Sequence, residues 1–159
     1  MGARVAPPRG TFLAAAAAVV ALDQLTKQWA LSALPDGPVD LVGSLRLKLV
    51  FNESAAFNLG GGNTQVIAVV ALIVAGVLMR MGLRAEQRLH ALGLGILLGG
   101  ALGNLTDRLL RAGDGFLGGR VVDMVDLQWW PVFNLADAAL WVGVGTVLLS
   151  SRVGAGEAA

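Results

Sequence analysis

With 159 residues the chain is the size of one domain, yet 55% of it is hydrophobic before its 22 glycines are counted. Only 14% is charged, against about 25% in a soluble domain, and a soluble globule of this size has too little interior to hide so much apolar surface. A net charge of +1, no cysteine and a single histidine, His90, exclude a basic nucleic-acid surface, disulfide or thiolate chemistry, and any zinc site needing two imidazoles.

A helix that crosses a bilayer needs about 20 mostly apolar residues, and four windows qualify. The first covers about 11–34. It follows Arg4 and Arg9 as a signal peptide would, but its apolar run continues past Asp23 and Lys27 to Leu34 with no small-residue cleavage site, so it is read as a span. Residues 45–51 then alternate leucine with Arg46 and Lys48, the pattern of a strand with one apolar face. The second window covers about 64–83. A short turn carrying Arg80, Arg84 and Arg88 leads to the third, about 89–110. There Gly95, Gly99, Gly100 and Gly103 form a close-packing face for another helix, and His90 reads as an interfacial residue. Residues 121–127, β-branched and lying between Gly118-Gly119 and Pro131, suit a second strand, in which Asp123 and Asp126 are expected to be solvated or strand-pairing acids, with a site role as the alternative. Trp129 and Trp130 then mark the interface before the fourth window, about 132–152.

The expected fold is membrane α-helical. It is a four-transmembrane-helix bundle forming one integral membrane domain over 1–159, with a small β element on the extracytoplasmic face built from loops of about 35–63 and 111–131. Four spans place both termini on one side, and the arginines of the 80–88 turn assign that side to the cytoplasm.

Ionisable groups within spans are costly and need a reason. Asp23 and Lys27, four residues apart, share a helix face. They read either as a mutually neutralising pair facing the bundle, or as a brace for a site with Lys27 snorkelling to the interface. Asp107 lies about 27 Å along the third span, and Asp137 lies just inside the oppositely directed fourth, so depth pairs them in the outer half of the membrane. Each follows an asparagine by three positions, Asn104 and Asn134, which stacks Asn and Asp on one face. Two converging carboxylates share a proton, so that the charged one activates water while the neutral one donates to a carbonyl oxygen. The same residues also suit a hydrogen-bonded polar seam or a proton pathway. A transporter would distribute polar groups through all spans, whereas the second has none in its core. A metal-dependent phosphotransferase would carry a diphosphate signature absent around Asp123 and Asp126. A serine–lysine protease drawn from Ser44 or Ser54 with Lys48 would sit in a strand-like loop.

Four segments, in chain order, resemble the motifs of the lipoprotein (type II) signal peptidases. They are Asp23-Gln24-Leu25-Thr26-Lys27, Asn52-Glu53-Ser54-Ala55-Ala56-Phe57, Gly103-Asn104-Leu105-Thr106-Asp107-Arg108, and Val122-Asp123 followed by Phe133-Asn134-Leu135-Ala136-Asp137. The resemblance implies an intramembrane aspartyl endopeptidase of the bacterial cytoplasmic membrane that removes signal peptides from prolipoproteins, cutting before the diacylglyceryl-modified cysteine. It implies a catalytic dyad of Asp107 and Asp137 near the extracytoplasmic face. Asn52, Asn104, Arg108 and Asn134, with Asp23 and Lys27, would support substrate and site. No metal or other cofactor is expected. The expected partners are the diacylglyceryl-prolipoprotein and membrane lipids, with the enzyme a monomer. Ser54 stands where that family carries glycine; if the position needs a positive φ, serine there is strained.

Overall fold

The computed structural model describes residues 7–52, 64–111 and 117–156; Ser54 and the rest of its segment after Asn52 lie outside them. Four long helices and three strands follow in the order α1 (Arg9–Ala33), β1 (Val39–Val42), β2 (Leu45–Asn52), α2 (Thr64–Gly82), α3 (Arg88–Leu110), β3 (Val121–Asp126) and α4 (Leu135–Gly156). The helices fall on the four apolar windows. α4 begins three residues later than its window because Pro131 leaves the chain extended and Asn134 caps the helix. α2 and α3 are long and apolar enough to cross a membrane by length and composition. α1 and α4 have comparable lengths of 25 and 22 residues, with charges placed inside α1 and in the first turn of α4.

α3 is the central helix and packs against each of the other three. Its glycines make this possible, as the sequence pattern led one to expect, but they serve two neighbours rather than one. A methyl group on Gly95 would run into the Phe12 carbonyl, and one on Gly99 would meet Val19 Cβ at 2.6 Å, both on α1. One on Gly100 would meet the Ala136 carbonyl of α4 at 2.7 Å. One on Gly103 would strike the Asp23 carboxylate at 2.6 Å. Close backbone approach here takes the place of large side chains. Phe12, Leu94 and Leu98 close the core at the other end of the bundle. There His90 Nδ1 lies 2.9 Å from the buried Ser150 Oγ, so the histidine links α3 to α4 far from the acids.

The strands form one antiparallel sheet in the order β1-β2-β3. β1 has no separate signal in the sequence, being four residues long at the sheet edge. The alternation in β2 sends Leu47 and Leu49 to the same side, where they pack with Val122 and Met124 over Ala30 and Leu34 at the end of α1. Arg46 stands opposite Asp126 and pairs with it at 2.7 Å. The second Asp126 oxygen accepts the Gln128 N–H at 2.7 Å, closing a local turn in which Gln128 has φ +68°. Beyond that turn Phe133 bridges back to Val125, its carbonyl accepting the Val125 N–H at 2.8 Å. This fold-back brings Asn134 and the start of α4 against β3.

Candidate active site

The ends of α1 and α3, the start of α4 and strand β3 converge on one polar network. Asp23 and Lys27 are both fully buried. They face the bundle, so Lys27 does not snorkel. Its ammonium lies 2.8 Å from Asp23 Oδ2 and 3.0 Å from Asp107 Oδ2, and it donates to Asn104 Oδ1 at 3.0 Å. Arg111, four residues after Asp107 and just past the end of α3, lies 2.8 Å from Asp107 Oδ1. The Val122 N–H donates to Asp107 Oδ2 at 3.0 Å, and Gln24 Nε2 donates to Oδ1 at 3.2 Å. Asp107 is thus held between two cations and two further donors in a site that is 1% exposed. The pairing with Asp137 expected from depth is not the one its contacts form. Its place is that of a counter-ion within α1 and α3.

Asp137 has different surroundings. Asn134 precedes α4 as its cap. The Asp137 N–H donates to Asn134 Oδ1 at 3.0 Å, and the Asn134 N–H returns a bond to Asp137 Oδ2 at 3.2 Å. This reciprocal arrangement is a capping box written with Asn and Asp. Asn104 Nδ2 donates to Asp137 Oδ1 at 2.8 Å. The carboxylate is only half-buried, at the positive end of the α4 dipole.

Asp123, expected to be solvated or strand-pairing, is 1% exposed and lies inside this network. Its Oδ1 accepts from Asn134 Nδ2 at 2.6 Å and its Oδ2 from Asn52 Nδ2 at 2.9 Å. The sheet register explains the second bond. Asn52 stands opposite Val121, and Asp123 opposite Val50, so the two polar residues are diagonal neighbours on adjacent strands. Burial pushes the Asp123 carboxyl up to about 6, and the nearby Asp137 charge adds to the rise while the bonds from Asn52 and Asn134 oppose it.

The asparagines join these parts. Asn134 Nδ2 also donates to Asn104 Oδ1 at 3.0 Å, so one chain of amides runs from Lys27 through Asn104 and Asn134 to Asp123, with Asp137 attached to both amides. Arg108 is 7% exposed, and its Nη1 donates to the Asn104 carbonyl at 3.3 Å. Its Nε is buried without a hydrogen-bond partner among the described residues, beside the charges of Asp137, Asp123 and Asp107. Every site residue expected from the sequence therefore lies in or against this network. Asp123, Gln24 and Arg111 were not singled out as site residues. The four-residue spacing of Arg111 from Asp107 was a usable signal for that ion pair. For Asp123 the usable signal was its place in the Val122-Asp123 segment, since its strand pattern alone does not distinguish it from any strand acid. Among the described residues no group of three or more acidic or histidine side chains is arranged to hold a metal ion.

Residues 15–153 match a family profile described as signal peptidase (SPase) II. The chain is 46% identical over 147 residues to a lipoprotein signal peptidase of Mycobacterium avium (strain 104), covering 90% of this chain and 79% of that one. It is 43% identical over 141 residues to a lipoprotein signal peptidase of Rhodococcus jostii (strain RHA1), covering 87% and 71%. Two solved chains, each described as a bacterial membrane enzyme, share the fold at 26% identity. Their TM-scores are 0.74 and 0.72, covering 90% and 89% of this chain and 88% and 92% of theirs.

Proposed function

The chain belongs to the signal peptidase II family, and from that premise we propose that it is an intramembrane aspartyl endopeptidase whose reacting pair is Asp123 and Asp137. Its substrate is a bacterial prolipoprotein, cut before the diacylglyceryl-modified cysteine. The observation that carries the choice of acids is the contrast between three carboxylates. Asp107 is consumed by Lys27, Arg111 and a backbone amide, whereas Asp123 and Asp137 accept hydrogen bonds from the neutral amides of Asn52, Asn104 and Asn134 and share Asn134 between them.

Their environments divide the work. Asp137 sits at a helix N-terminus with a donor on each oxygen, and its partial exposure lets water reach it. Asp123 is buried and holds its proton to higher pH. Asp137 takes a proton from water, whose oxygen attacks the scissile carbonyl while Asp123 gives its proton to the carbonyl oxygen. Collapse of the tetrahedral species breaks the C–N bond, Asp137 returns its proton to the cysteine amine, and the new carboxyl reprotonates Asp123. Arg108, with an unused buried N–H, offers a donor to a substrate carbonyl.

The four helices serve as four spans of one domain. The outward side chains of α2 and α4, among them Val69, Ile73, Val77, Trp141, Val142 and Leu148, are apolar and exposed, as lipid-facing residues are. The end of the bundle away from the acids, with both termini, faces the cytoplasm and the site faces outward in this reading, which is supported by Arg80, Arg84 and Arg88 lying at that end.

The test is cleavage of a diacylglyceryl-modified prolipoprotein by purified enzyme. Asp123→Asn and Asp137→Asn, both folded, lose at least about a thousandfold in turnover if the pair is reactive. Near-normal turnover by either one removes that residue from the chemistry.

A further inference from the structure

We infer that Lys27 is a positioning residue for the acid pair: a single buried ammonium holds Asn104 against Asp137 and holds Asp107 against the strand that carries Asp123. The inference rests on the assignment of Asp123 and Asp137 made above.

An ammonium has three N–H donors. Lys27 has three acceptors within 3.0 Å, namely Asp23 Oδ2, Asp107 Oδ2 and Asn104 Oδ1. Neutralising Asp23 would need only the first. The other two contacts lead to the acids from two sides.

On one side, Asn104 Oδ1 accepts from both Lys27 and Asn134 Nδ2. That fixes which way the amide faces. Turned over, its NH2 would oppose an ammonium and another NH2, and its oxygen would oppose a carboxylate. Only the observed orientation gives Asp137 Oδ1 an N–H at 2.8 Å. Lys27 thereby determines that Asp137 is met by a donor. On the other side, Asp107 Oδ2 accepts from Lys27 and from the Val122 N–H, so the cation helps fix the carboxylate on which β3 is seated one residue before Asp123. The charged groups around Lys27 are Asp23 from α1, Asp107 and Arg108 from α3, Arg111 just after α3, Asp123 from β3 and Asp137 from α4.

Lys27→Met alone leaves two buried carboxylates around a missing cation and risks the fold. Asp23→Asn/Lys27→Met removes one anion with the cation and leaves Asp107 paired with Arg111. For this double variant, kcat per folded molecule should fall about a hundredfold with KM within about threefold. In an Asn104→Ala background the same double change should have little further effect on kcat, since the link is already cut. Wild-type kcat in the folded double variant overturns the inference, as do effects on kcat that simply add in the Asn104→Ala background. Loss of folding in the double variant does so too, leaving Lys27 as a stabilising ion only. Asp123→Asn and Asp137→Asn run in parallel keep the two claims apart. If they retain turnover the acid-pair reading fails, and if they lose it while Lys27 changes nothing, only the positioning role fails.

Discussion

The backbone N–H of Val122 donates to Asp107 Oδ2 at 3.0 Å, so a carboxylate on α3 seats the strand residue next to Asp123. Asp107 therefore acts on the proposed chemistry through placement. Asp107→Asn should lower stability by about 3–5 kcal/mol, because it leaves Lys27 and Arg111 competing for fewer anions in a buried site. Part of the turnover per folded molecule should survive. Thermal unfolding in detergent together with turnover normalised to folded enzyme checks this. Unchanged stability combined with complete inactivity would return Asp107 to the reacting pair.

Asn134 has two separable duties, capping α4 and bridging Asn104 to Asp123. Asn134→Ser keeps a capping oxygen but no bridging NH2, whereas Asn134→Ala loses both. The alanine variant should be about 1 kcal/mol less stable than the serine variant, with both about a hundredfold slower than wild type. Equal stability of the two would show that the cap contributes little to α4. Full activity of the serine variant would dispense with the bridge.

Burial holds the Asp123 carboxyl at about 6, well above the ordinary carboxylate value of 3.8. Its charged form is the disfavoured one in the folded protein. The contribution of this group to stability is therefore greatest when it is protonated and declines as pH rises from about 4 to about 6. If Asp123 is the proton donor, kcat/KM should fall on its basic side with an apparent pKa near 6, belonging to the coupled pair as a whole. A profile still rising through pH 8 would contradict that role.

A methyl group on Gly103 would lie 2.6 Å from Asp23 Oδ2, whereas one on Gly145 in α4 meets nothing within 4 Å. Gly103→Ala should cost about 1–3 kcal/mol and disturb the Asp23–Lys27 pair. Gly145→Ala should leave activity unchanged and stabilise by up to about 1 kcal/mol through helix propensity. Unfolding temperatures of the two variants, measured side by side, decide whether close approach or helix propensity governs these glycines.

The proposed hydrolysis uses only side chains and water. Incubation with EDTA should leave turnover within about twofold of the untreated enzyme. Loss of activity that a divalent ion restores would replace the acid-pair mechanism with a metal-assisted one.

The architecture was legible because it follows from composition over long windows. Four apolar stretches, the alternation through Arg46 and Lys48 in β2 and the β-branched run in β3 each fix a local element by burial demand alone. β1 escaped notice because four edge residues carry no periodic signal. The two Asn-x-x-Asp segments were legible as well, and their asparagines do meet, Asn134 Nδ2 donating to Asn104 Oδ1.

What the sequence determined, then, is the helices, the strands that follow them at one end and the small set of acids inside the bundle. Which of those acids could react was left to the tertiary structure. Asp107 and Asp137 have nearly the same neighbours in the chain, yet Asp107 faces Lys27 and Arg111 while Asp137 caps a helix beside two amides. Asp123 looked like an ordinary strand acid until the fold-back at Phe133 laid Asn134 over it. A carboxyl group's chemistry depends on the donors and charges within a few ångströms, and in this fold those come from other helices and strands rather than from adjacent residues.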